Sequence, residues 1–195
     1  MVLRRAGKAD NLKLNIGAGE HNLEGYTPID LMNGQDARKL EYADNSIDEI
    51  RASHVLEHFG HREVCDVLRE WVRVLKPGGL MKLAVPNFEM VARDYLDGKQ
   101  VNIQGYAMGG QMDANDFHRT LFDRECLGEL MTVCGLQDIA EWKSEIEDCA
   151  SLPISLNLCG TKRVATKTMP AQMPKIGVAM SVPRVGWMDN FFSCF

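Results

Sequence analysis

No Cys-x-x-Cys pair occurs in this chain, whose six cysteines (Cys65, Cys126, Cys134, Cys149, Cys159 and Cys194) lie far apart. That scatter argues against a zinc ribbon or a disulfide framework and leaves reduced, buried thiols as the expectation. Long apolar runs are missing too. No stretch approaches the roughly 18 residues that span a bilayer, and the start, with Arg4, Arg5 and Lys8, lacks the apolar core of a signal peptide, so a soluble, cytoplasmic protein is expected. Positive charge is short: 22 basic against 27 acidic residues leave a net charge of -5, without a footprint for nucleic acid. Internal repeats and low-complexity segments are absent. What remains is 195 residues, 45% hydrophobic, enough for one core of ordinary domain size and a short extension.

The chain is organised around Leu12-Lys-Leu-Asn-Ile-Gly-Ala-Gly-Glu20. Leu12, Leu14 and Ile16 alternate with Lys13 and Asn15 as in a strand, which ends at Gly17 and Gly19. Glycines there permit a sharp turn and a close approach to a ligand over the strand's carboxyl end. An ordinary tight turn reads the same way, so the following residues decide. Tyr26 to Asp30 reads as a short strand ending in an acid, and Asp30 follows Gly19 by only 11 residues, too few for a full crossover helix. Turns at Asn33-Gly34 and Asp44-Asn45-Ser46 lead to Ile47–Ala52, read as a central strand.

From His61 to Leu75, Val64, Leu68, Trp71, Val72 and Leu75 recur at helical spacing, and Lys76-Pro77-Gly78-Gly79 stops that helix before a buried strand from Leu80 to Val85. Strand, helix and strand make a right-handed crossover unit. Asn87 caps a further helix, a long loop runs from Asp97 to Asp116, and Arg124 to Cys134 is helical. Leu136–Trp142 and Ile154–Cys159 form a closing antiparallel pair. The expected fold is a doubly wound, mostly parallel sheet of about seven strands with an antiparallel end. Residues 1–165 would form this domain; residues 166–195, with a strand at Ile176–Val182, would be an extension or the start of an incomplete second domain.

In their order, these blocks resemble the class I S-adenosylmethionine-dependent methyltransferases, in particular compact methyltransferase type 11-like domains. The resemblance covers about Leu12 to Thr161: Leu14-Asn-Ile-Gly-Ala-Gly-Glu20 is similar to the glycine-rich first motif, Ile29-Asp30-Leu31 to the ribose-binding acid, Asp36-Ala37 to the adenine side, and Ala52-Ser-His-Val-Leu-Glu-His58 to the central-strand block. It implies S-adenosyl-L-methionine as cofactor, held by Asn15, Gly17, Ala18, Gly19, Asp30, Leu31, Asp36, Ala37, Ser53 and His54. It also implies a small acceptor, with a saccharide or nucleotide-sugar as candidates. Asn15 stands where the family commonly has an acid, and no third glycine follows. Asp30 is chemically suited to accept both ribose hydroxyl hydrogens, although a turn-capping role competes; for Asp36 a loop or cap role competes as well. His118 is the preferred base or acceptor-orienting group and His54 a second, because an imidazole titrates near neutrality. His58 is read as structural, and Asp48 and Arg119 as structural or solvated.

Two other readings remain. His54-Val-Leu-Glu-His58 matches the inverted zinc-protease signature, with Glu125 or Glu129 as a distant third ligand, but Phe59-Gly60 leaves little helix to hold a metal. A non-catalytic S-adenosylmethionine-binding protein is motivated by Asn15 and the apolar tail. A nicotinamide fingerprint would place its acid about 20 residues on, which this chain does not.

Overall fold

The structure, a computed structural model, describes residues 11–20, 23–99 and 101–164. Six strands form one mixed sheet: β1 (Lys13–Ile16), β2 (Thr27–Ile29), β3 (Ile47–Ser53), β4 (Leu75–Pro86), β5 (Leu136–Glu141) and β6 (Ser155–Lys162), in the order β2-β1-β3-β4-β6-β5. β2, β1, β3 and β4 are parallel, and β6 and β5 add an antiparallel end. The α/β fold and its antiparallel closure agree with the sequence reading, with six strands rather than about seven. No helix among the described residues is long and apolar enough to cross a membrane. The expected Ile176–Val182 strand lies outside the described residues.

Strand alternation sorts side chains onto two unlike faces. Leu14, Ile16, Ile50, Ala52, Met81 and Leu83 are buried on one face, which is covered by α1 (Val64–Val74) and α4 (Arg124–Val133). α1 presents Val64, Val67, Leu68, Trp71 and Val72 to the sheet at helical spacing. It is started by Glu63, whose Oε1 accepts from the amide of Gly60 at 3.0 Å. The opposite face is polar. Glu49 lies between Lys13 (2.9 Å) and Lys82 (2.7 Å) and accepts from the Tyr26 hydroxyl. Arg51 pairs with Asp148 and lies over the Trp142 ring.

Two elements depart from expectation. The Lys-Pro-Gly-Gly run does not separate α1 from its strand: β4 begins at Leu75, paired with Ile47, and irregular register between Ile47 and Glu49 absorbs the glycines. The long loop contains a short helix, α3 (Ile103–Met108), capped by Asn102, whose side chain accepts from the Gly105 amide. α2 (Phe88–Leu96) is capped by Asn87, and α4 by Asp123. Asp48 has a structural task, accepting from the Leu12 amide and from Lys76.

Trp71 is fully buried, and its indole Nε1 donates to the carbonyl of Ala37 at 2.8 Å, tying the loop after β2 to the helix layer. Trp71→Phe should cost about 1 kcal/mol through that hydrogen bond, and Trp71→Ala about 3–5 kcal/mol through the cavity left behind. Urea unfolding of both variants measures the difference.

Candidate functional site

The order of the parallel strands reverses between β1 and β3, the point at which α/β sheets open a crevice beyond their carboxyl ends. A cleft of about 380 Å³ lies there, within the size range of small-molecule sites. Gly17, Gly19, Asp30, Leu31, Asp36, Ala37 and His54, all expected at a cofactor site, line it. A larger depression of about 1020 Å³ lies against α4, lined in part by Glu125 and Glu129; it contains neither the glycine loop nor the histidines.

The glycine loop is built differently from a cradle of free amides. Gly17 and Ala18 donate their N–H groups to the carbonyl of Ile29 at 2.8 and 3.3 Å, and Gly19 donates to Asp30 Oδ2 at 2.8 Å. All three amides are spent on the end of β2. Gly17 is required by packing, because its φ is +67° and a Cβ there would lie 2.2 Å from Val55 Cγ2. Gly19, at φ +52°, has nothing within 4 Å of its Cβ position and so borders open space.

Asp30 therefore faces the diglycine bend. Its Oδ1 also accepts from the Met32 amide at 2.9 Å, capping the turn Leu31–Asn33, so ligand-facing and capping readings coexist. A carboxylate has about four lone-pair sites, and two are in use, leaving acceptor capacity for sugar hydroxyls. Asp36 is gripped by Arg38 through both carboxylate oxygens, which holds its pKa below the usual range. Arg38 thus lines the cleft beside Asp36 and Ala37, the two residues expected on its adenine side.

Asn15, Ala18, Ser53 and His118 do not line the cleft. Asn15 is buried on the polar sheet face, with Oδ1 accepting from Arg51 at 3.4 Å. Ala18 is enclosed in the turn. The Ser53 hydroxyl is buried without a hydrogen-bond partner among the described residues. His118 lies one layer behind the wall: its ring meets that of His58 edge-on at 5.0 Å, and Nδ1 bonds the carbonyl of Tyr106 at 2.9 Å. The wall instead gains His58, Asp113, Asn115, Asp116 and Arg119. Sequence reasoning had taken His58 as structural and Arg119 as structural or solvated, whereas both line the cleft; Asp113, Asn115, Asp116 and Arg119 reach it through the way the loop after α3 folds back.

His54 has a φ of +54°, rare for a residue with a Cβ and a mark of local strain. Its Nε2 is 3.0 Å from Ser155 Oγ, and Ser155 donates to Asn157 Oδ1, so Nε2 carries the proton and Nδ1 the lone pair. Burial, followed by the nearby His118, pushes its pKa down to about 4, so the ring is neutral at physiological pH. Nδ1 lies 3.4 Å from Glu57 Oε1 without hydrogen-bond geometry. Glu57 is 1% exposed, and burial pushes its carboxyl up to about 8. Burial, followed by His118, also lowers His58.

Residues 14–83 match the family model described as a methyltransferase domain. That segment, about a third of the chain, is similar to a methyltransferase domain. Solved structures agree at the level of fold. A methyltransferase from Methanosarcina mazei is 16% identical with a TM-score of 0.55, matching 81% of this chain and 95% of that one. One from Thermotoga maritima is 17% identical at 0.53, over 78% and 82%. The CurJ carbon methyltransferase is 14% identical at 0.51; the match covers 83% of this chain but half, 50%, of that one. No curated protein matches the chain. The methyltransferase match implies S-adenosylmethionine as the cofactor, and the cleft suits it through the open space at Gly19 and the spare acceptor sites of Asp30.

The carboxyl of Glu57 ionises near 4.5 in the unfolded chain and about 8 when folded, so its contribution to stability is full below 4.5 and is lost as pH rises through 8. His54 acts oppositely, its contribution being present above 6.5 and lost as pH falls through 4. Between pH 6.5 and 8 the Glu57 contribution stands alone of these two. In the presence of a chelator, stability to urea should therefore fall across that interval by roughly 2 kcal/mol. Glu57→Gln should abolish the decline.

Proposed function

We propose that this chain is a methyltransferase that binds S-adenosylmethionine in the β1–β3 cleft and methylates a hydroxyl of a small acceptor, a saccharide or nucleotide-sugar being the first class to try. The observation that carries the reading is the Asp30 carboxylate, held over the diglycine bend with acceptor capacity to spare. Gly17, Gly19, Leu31 and Ala37 would complete the cofactor wall, with Asp36 held by Arg38 at its edge. The rim formed by Asp113, Asn115, Asp116 and Arg119 is rich in hydrogen-bonding groups, as a polyhydroxylated acceptor requires.

S-adenosylmethionine, when bound, supplies an already activated methyl group. The chain's own part is to align the acceptor, exclude water and receive a proton where one must leave. His54, neutral and with its lone pair on Nδ1, is the base in this reading. His118 orients from behind through His58. Residues 1–165 form the catalytic domain and 166–195 an extension to it.

Asn15, engaged by Arg51 rather than facing the cleft, favours a second reading in which the cofactor is bound without turnover. Titration calorimetry with S-adenosylmethionine and its demethylated product should show binding, and Asp30→Ala should weaken it by about 2 kcal/mol, roughly thirtyfold. Asp30→Asn, which keeps the cap, separates that effect from loop damage. Transfer of labelled methyl groups to sugars and nucleotide-sugars tests turnover: binding with no transfer to any acceptor would support the second reading. Absence of binding would remove both.

A further inference from the structure

Glu57 holds two oxygens in the protein interior with no hydrogen-bond partner among the described residues, and His58 Nδ1 is a third such atom beside it. Burying a carboxyl group without a donor costs several kcal/mol, and native proteins rarely leave one so. Glu57, His58 and His118 each offer one ligand atom, and the three atoms lie within 4.8 Å of one another. We propose that these three residues bind one divalent transition-metal cation of the zinc or ferrous type behind the cleft wall.

Three further features fit a metal centre. His118 Nδ1 is bonded to the carbonyl of Tyr106, the outer contact that fixes the tautomer of a ligating imidazole and leaves Nε2 with its lone pair. The segment carrying His118 is also pinned to the turn carrying the other two ligands. Arg119 and Thr120 donate their amides to the carbonyl of Glu57 at 2.7 and 3.1 Å, and the Thr120 hydroxyl donates to the carbonyl of Phe59 at 2.7 Å. The ligand geometry is thereby set before a metal arrives.

The donor set selects the metal. Two imidazoles and one carboxylate suit zinc or ferrous iron and leave coordination positions open, whereas magnesium prefers oxygen ligands. This set is not the one suggested by the inverted protease signature. His54 is directed to Ser155, and Glu125 and Glu129 border the separate depression at α4, so His118 takes the third place. Of the three ligands only His58 also lines the cleft, which puts the cation at the back of the acceptor side. The site rests on the geometry of these residues and holds whether or not the methyl-transfer reading does.

The test uses the full chain, stripped with a chelator, dialysed and titrated with ZnCl2 and separately with MgCl2. One zinc per chain should bind, with magnesium far weaker, and Co2+ in its place should give the visible absorption of a nitrogen–oxygen site. Because loss of an outer contact alone costs up to a hundredfold, His118→Ala should lower zinc affinity by more than roughly a hundredfold. Glu57→Gln should lower it similarly while resisting urea at least as well as the parent, which excludes misfolding as the cause. Cys65→Ser, altering the thiol 3.5 Å from Cys134, should leave zinc binding intact. Zinc binding that is substoichiometric, indifferent to His118→Ala and Glu57→Gln, or lost in Cys65→Ser would overturn the proposal. S-adenosylmethionine is titrated in parallel: zinc bound without it fails the functional reading alone, and the reverse fails the metal site alone.

Discussion

Three consecutive amides, those of Gly17, Ala18 and Gly19, bond to the end of the neighbouring strand, two to the carbonyl of Ile29 and one to the carboxylate of Asp30. This clip sets the shape of the cleft. It joins β1 to β2 without a crossover helix among the described residues, and it fixes an acidic side chain, that of Asp30, which faces the bend and retains unused lone pairs. Because Asp30 is simultaneously the cap of the turn beginning at Leu31, its carboxylate is oriented before any ligand binds. A glycine-rich loop is usually discussed as backbone that yields to a ligand. Here its amides are committed to the protein, and it is a side chain that is left to make the contact.

Much of the fold was legible because its signals are local. Alternation in Leu12 to Ile16, the helical spacing from Val64 to Val74, and the caps at Asn87 and Asp123 depend on neighbours within a few residues. The glycines, Asp30, Asp36 and His54 were legible for the same reason, since each lies at the end of a strand or in the turn after it. The misplaced residues depend on distant partners. Asn15 is taken by Arg51, 36 positions away; His118 is turned by Tyr106, 12 away; and Leu75 is drawn into the sheet by Ile47 across a bulge. The rim residues between Asp113 and Arg119 carry no periodicity at all, and their placement follows from two amides that find the carbonyl of Glu57.

The wall behind the cleft is the most strained and least solvated part of the site. His54 adopts a backbone conformation that costs energy, Glu57 and His58 hold buried polar atoms, and the same burial that lifts the acid depresses the imidazoles. Burial thereby favours the neutral form of each of these three groups, Glu57, His54 and His58. Proteins keep such arrangements where function needs them, since a leucine or phenylalanine would pack at lower cost.

The hydrophilic side of the sheet, with Glu49 shared between two lysines and Arg51 clasped by Asp148, bears on how that surface meets water. A layered α/β protein normally shields both surfaces of its sheet, because each is greasy and would otherwise meet water. Here one surface satisfies its own charges, so a helix removed from above it would uncover no oil. Contact of that surface with water would therefore cost the described residues little, since its charges are already met by neighbouring side chains.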